Sequence, residues 1–218
     1  PSGPALAALL VLPGMLRGPV TPEATASVAM IQGNIDQGLK WDEAMQAAIL
    51  KTYLDLSRKA VAEHAPDLVV WPETAMPFYF QDPTPFSAAV REGTQGLNTA
   101  LLAGSPAYSV PTEPGAPQYV LHNRAWLLDP RGQTLSWYDK EHLVPFGEYV
   151  PLGEWLPFIA KLVPGQFEFR PGLNTAPLAT GRLAMGLLIC YEAIFPELAQ
   201  KQVERGANVL VNIGNDAW

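Results

Sequence analysis

Residues 183–192, Leu-Ala-Met-Gly-Leu-Leu-Ile-Cys-Tyr-Glu, are almost unbroken apolar sequence up to Cys190, the only cysteine in the chain. A run of this length suits a buried strand and is short for a helix. A strand apolar on both faces must be covered on both, which places it in a parallel or stacked-sheet core. Tyr191 and Glu192 follow at once, and Phe195-Pro196-Glu197-Leu198 reads as a turn entering a helix. Rigid strands present reactive groups where they give way to loops. Taken alone, a lone cysteine also serves as a small core hydrophobe. A nucleophilic role requires a base and a cation from elsewhere, because a thiol of pKa ~8.5 is mostly protonated at neutral pH.

Other predicted strands end on polar groups of that kind. Leu68-Val69-Val70-Trp71 is followed by Pro72-Glu73-Thr74, and the strand predicted over 134–138 leads into Asp139-Lys140-Glu141-His142. Each has a plain alternative, Glu73 as a solvated loop carboxylate and Lys140 as a surface lysine. If they converge on Cys190, the carboxylate can take the thiol proton and the ammonium can steady a thiolate or an oxyanion. One such charge pair at ~4 Å in an effective dielectric near 20 amounts to roughly 4 kcal/mol before desolvation. That is enough to move a thiol pKa by a couple of units.

Between these points the chain alternates. A strand is predicted over 27–31 and a helix over 41–63, with Asp36 or Asp42 as its cap and His64-Ala65-Pro66 as its stop. With the strand at 68–71 this makes a strand–helix–strand unit, the signature of an α/β fold. A helix over 87–97 and a strand over 99–103 follow. The Pro/Gly-rich stretch 105–117 reads as a loop. Residues 119–128 and 134–138 form a hairpin around Asp129-Pro130-Arg131-Gly132. A second hairpin spans 178–188, with a helix over 198–205 and a last strand over 208–213 after it.

The chain is 218 residues long, with net charge −7 and no basic run, so nucleic acid is not an expected partner. A single cysteine excludes an internal disulfide and cysteine-rich zinc sites, and the histidines lack metal-ligand spacing, so no metal is expected. Residues 5–12 are apolar but too few to span a bilayer. They read either as an ordinary arm or as the end of a transmembrane helix, with residues 1–20 its remnant and linker. Residues 152–169 crowd Trp155, Phe158 and Phe167 among prolines and read as an apolar lid, or as a loop folded on the core.

Trp-Pro-Glu-Thr-Ala at 71–75, Tyr-Asp-Lys-Glu-His-Leu-Val-Pro-Phe-Gly-Glu-Tyr-Val-Pro at 138–151 and Ile-Cys-Tyr-Glu at 189–192 resemble, in this order, the three blocks of the nitrilase (carbon–nitrogen hydrolase) superfamily. The wording is closer still to its apolipoprotein N-acyltransferase family. Gln32-Gly33-Asn34, Lys40-Trp41 and Asn215-Asp216-Ala217-Trp218 also fit that family. The resemblance implies an α/β/β/α sandwich over residues 21–218, incomplete at its C-terminal end. It implies Glu73 as general base, Lys140 as oxyanion and thiolate stabiliser and Cys190 as nucleophile. Glu148, Tyr191 and Glu192 would support the oxyanion or substrate. It also implies acyl transfer without a cofactor, from a phospholipid through a cysteine thioester to the α-amine of a diacylglyceryl apolipoprotein. The setting would be the periplasmic side of a bacterial inner membrane. The competing expectation is a soluble amidase or nitrilase with the same triad.

Overall fold

The computed structural model describes residues 25–113, 115, 117–149 and 169–215. Strand β1 (Val28–Met30), a short helix α1 (Gln37–Lys40), a 3-10 turn (Glu43–Met45) and helix α2 (Gln46–His64) open it. Then come β2 (Leu68–Val70), α3 (Pro85–Leu97), β3 (Ala100–Ser109), β4 (Val120–Leu128) and β5 (Thr134–Asp139). The last elements are β6 (Leu178–Thr180), β7 (Leu183–Ile189), a 3-10 turn (Cys190–Ile194), α4 (Pro196–Glu204) and β8 (Val209–Ile213).

β1 to β5 form one sheet in chain order, parallel from β1 to β3 and antiparallel thereafter. β6, β7 and β8 form a second sheet, with β7 parallel to β8. Strand alternation builds the layers. Val69, Leu101, Ala103, Trp126 and Leu128 face α2 and α3, where they meet Leu50, Tyr53, Leu54 and Val90. Their neighbours Leu68, Val70, Leu102 and Leu127 face the other way, onto Met185, Leu187 and Ile189 of β7. Each such side chain, fully buried, contributes about 1.5–3 kcal/mol. α4 covers the outer face of the second sheet. A Cβ on Gly186 of β7 would lie 2.7 Å from the Gln202 Cβ, so the glycine lets the helix approach. The result is the expected α/β/β/α sandwich.

The expected elements appear with three adjustments. The helix predicted from Trp41 starts at Gln46, behind a 3-10 turn that Asp42 caps at Ala44 N, while Asp36 caps the separate short helix α1 at Gly38 N. It ends as expected, at Ala65 in the left-handed region. The strand predicted over 99–103 runs on to Ser109, through what reads as loop. Residues 105–109 pair with Val120–Arg124 on one side only. Tyr108 turns its N–H and C=O away from β4 towards Gln81, so Pro106, two residues back, has its missing N–H on that same open edge. A 3-10 turn also separates Cys190 from α4. The apolar segments read at 5–12 and 152–168 lie outside the described residues, as do Asp216, Ala217 and Trp218. Among the described residues no helix is long and apolar enough to cross a membrane.

Candidate active site

β2 passes into Trp71-Pro72-Glu73-Thr74, and this turn is stitched onto β3. Trp71 N donates to Leu102 O at 2.8 Å, Gly104 N to Pro72 O at 3.3 Å and Met76 N to Gly104 O at 3.1 Å. A Cβ on Gly104 would lie within 2.7–2.8 Å of Thr74 N, Glu73 Cα and Pro72 O, all backbone atoms. Gly104→Ala is therefore expected to push the Glu73 turn outward. It should cost about 1–3 kcal/mol of stability and slow modification of Cys190 by up to about 100-fold. Thermal unfolding and iodoacetamide kinetics on the same sample check both.

The Glu73 carboxylate lies in a cavity of about 620 Å³ that Lys140, Glu148, Asn123 and Cys190 also line. Glu73 Oε1 accepts from Asn123 Nδ2 at 2.7 Å and stands 3.8 Å from Lys140 Nζ. Lys140 follows β5 directly, is only 1% exposed, and its N–H bonds to Asn123 O at 2.9 Å. Its ammonium straddles the Glu148 carboxylate, at 3.0 Å from Oε1 and 2.9 Å from Oε2. Glu148 also accepts from Val144 N and Asn123 Nδ2, both at 2.9 Å. The carboxylate, the ammonium and the thiol predicted at separate strand ends thus share one cavity.

Cys190 follows β7 directly with φ +53, an unusual backbone for an L-residue that costs about 1–3 kcal/mol and persists only where the surroundings hold it. Burial, and then the Glu73 charge, push its thiol above the ordinary range, while Lys140 and the Tyr191 N–H pull the other way. The thiol and the Glu73 carboxylate line the same cavity. The sequence suggested that Lys140 would draw the thiol pKa down by a couple of units. The net direction is up, because desolvation and the facing carboxylate outweigh the ammonium. The resting sulfur is a thiol that shares its cavity with the group able to remove its proton.

The other expected site residues divide. Glu148 lies in the cavity, holding Lys140 and Asn123. The Tyr191 backbone N–H lowers the thiol's pKa, while the Tyr191 ring packs edge-on against Phe195 at 5.1 Å. Glu192 does not line the cavity. It is 0% exposed behind it, and its carboxylate accepts from Tyr138 OH, Glu141 N, His142 N and Ile189 N. It fastens the Cys190 turn to the Lys140 loop. Asn123, which bridges both carboxylates, escaped the sequence reading. The available signal was His122-Asn123-Arg124, a polar run inside an otherwise apolar strand.

The carbon–nitrogen hydrolase family model matches residues 27–218. The apolipoprotein N-acyltransferase of Geobacter metallireducens is 47% identical over 199 residues, which cover 90% of this chain and 37% of that protein. The Brucella suis protein of the same name is 36% identical over 88% of the chain and 36% of its own length. The chain therefore spans little more than a third of these relatives. Among solved structures, an amidase from Nesterenkonia sp. superposes with TM-score 0.60 at 21% identity, over 90% of this chain and 67% of that one. A carbon–nitrogen hydrolase from Helicobacter pylori gives 0.57 at 21%, over 87% and 59%. These two likenesses concern the fold. Matched over nearly its whole length by that family model and folded as such hydrolases are, the chain belongs to the carbon–nitrogen hydrolase family.

Proposed function

We propose that the protein is the catalytic unit of an N-acyltransferase working by a cysteine thioester. In the first half-reaction Glu73 takes the proton from Cys190 Sγ as the sulfur attacks an ester carbonyl carbon of a phospholipid. Lys140 Nζ and the Tyr191 N–H steady the oxyanion. Collapse breaks the ester C–O bond, and the departing lysophospholipid oxygen takes the proton back from Glu73. In the second half-reaction the α-amine of a diacylglyceryl-cysteine at an apolipoprotein N-terminus attacks the thioester carbon. Glu73 receives the amine proton and returns it to the leaving sulfur, which yields an amide and the free thiol. Glu148 and Asn123 position Lys140 and Glu73. The proposed setting is the periplasmic face of a bacterial inner membrane, where both lipids are at hand.

Kinship with the relatives named apolipoprotein N-acyltransferase carries this reading. An apolar cleft of about 270 Å³ supports it. Its walls include Phe78, Tyr79 and Leu121, and it shares Trp41, Pro106 and Phe169 with the catalytic cavity. A greasy cleft adjoining the catalytic cavity suits an acyl chain, each buried methylene being favourable by about 0.8 kcal/mol, or roughly fourfold. A small-amide amidase has no use for it.

The test compares acetyl and palmitoyl thioesters as donors to Cys190. The protein is expected to acylate far faster with palmitoyl. Leu121→Trp, which fills the cleft, is expected to slow the palmitoyl donor by tenfold or more and leave the acetyl donor unchanged. A protein that prefers acetyl, or that turns over small amides and forms no lipid adduct, is an amidase and overturns the proposal.

A further inference from the structure

The mechanism above leaves a buried charge of the catalytic cavity unused. Lys40, the last residue of α1, is 5% exposed, and its Nζ donates to the Glu73 backbone carbonyl at 3.3 Å. It lines the catalytic cavity with Glu73, Glu148 and Lys140, and also a neighbouring cavity of about 430 Å³ beside Tyr53 and Asn215.

The need for a second cation follows from the carboxylates. A single amide nitrogen, Asn123 Nδ2, donates to Oε1 of Glu73 and to Oε1 of Glu148. The two carboxylates are therefore no farther apart than two hydrogen bonds in sequence. Like charges so close in a buried site favour capture of a proton by one of them. Lys140 sits between the pair and balances one negative charge. Among the described residues, the charged groups lining this cavity are the two carboxylates and the two lysines, with the Cys190 thiol beside them.

We propose that Lys40 is the counter-charge that lets Glu73 and Glu148 stay ionised together, and so a positioning residue that keeps Glu73 free to accept the Cys190 proton. This rests on the reading of Glu73 as base for Cys190. Lys40 has the charge the role requires. Burial lowers its pKa from 10.5 to about 8 and the Glu73 carboxylate resists that fall, so Lys40 is cationic throughout the range in which carboxylates titrate.

The experiment follows the rate of Cys190 alkylation by iodoacetamide from pH 4 to 9. In Lys40→Met the acidic limb is expected to move up by one pH unit or more, which is a tenfold loss on the limb with little change at pH 8.5. Lys40→Arg should keep the limb of the unmodified protein. Glu148→Gln, with one carboxylate gone, should move it down, and adding Lys40→Met to that background should move it up by less than in the unmodified protein. A uniform slowing of Lys40→Met at every pH means that Lys40 only supports the backbone, and overturns the proposal. So does a displaced limb in Lys40→Arg, or an unmoved limb in Glu148→Gln. Iodoacetamide needs only the thiol and its base. A protein that alkylates in this way yet accepts no lipid would sink the acyl-transfer reading and leave the role of Lys40 standing.

Discussion

Cys190→Ser is expected to abolish the acyl-enzyme and to reduce acyl transfer on the order of 10⁴-fold or more. The substitution replaces one atom in a half-buried turn, so stability should stay within about 0.5 kcal/mol. The loss is chemical. The Cys190 thiol is held above its ordinary range by burial and by the Glu73 carboxylate, yet it remains within reach of a carboxylate base once Lys140 and the Tyr191 N–H receive the developing charge. A serine hydroxyl is a far weaker acid, and a carboxylate is too weak a base to activate it. Intact-mass analysis after incubation with phospholipid vesicles reads this directly. The unmodified protein should gain one acyl chain in place of the thiol hydrogen, and the serine variant should gain nothing. Normal labelling of the serine variant by the lipid donor would remove the thioester mechanism.

What the sequence disclosed here was local, and what it concealed was contact between distant segments. β2 and β7 are legible because each is a compact apolar run, β5 because it follows the turn at 129–132, and their ends mark Glu73, Lys140 and Cys190 as candidates. The convergence of these ends came from resemblance, since no spacing rule brings residues 73, 140 and 190 together. β3 was cut short because Gly104 and Pro106 usually end strands. Only the open edge beside Pro106, a property of the sheet, permits the strand to continue. Asn123 was passed over because a strand pattern records burial and says nothing of which buried amide meets two carboxylates. Lys40 was visible in a motif, but its counter-charge role needs the positions of Glu73 and Glu148. Glu192 was grouped with the site because it follows the nucleophile by two residues. A 3-10 turn at Cys190 instead sends it to the rear of the cavity.

That rearward position makes Glu192 the largest stability determinant expected near the site. Its two oxygens satisfy three backbone N–H groups and the Tyr138 hydroxyl, at 2.7–3.1 Å. Glu192→Ala strands these donors in a dry interior at about 1–3 kcal/mol each, reduced where water or relaxation replaces the acceptor. A net loss of roughly 4 kcal/mol is expected, or about 8–16 °C in thermal midpoint for a chain of this size. Glu192→Gln keeps one oxygen but aims its NH₂ at an N–H donor, whichever way it turns, and should cost about 1–3 kcal/mol. The carboxyl also imposes a pH dependence. Burial raises its pKa above the ordinary 4.5, against the pull of the N–H donors, so the folded state holds the proton longer than the unfolded chain. The part of its contribution linked to that proton is therefore fully present below pH 4.5 and is lost as the pH rises through the folded value. Glu192→Gln should flatten that part of the stability profile, and a slope unchanged by the substitution would mean that another group carries it. The turn it restrains is the one that holds Cys190 at positive φ, so stability and alkylation rate should fall together in both Glu192 variants. Cys190→Ser, by contrast, should lose only the chemistry. Full alkylation in a Glu192→Ala protein that has lost its stability would show that the turn keeps its shape without this carboxylate.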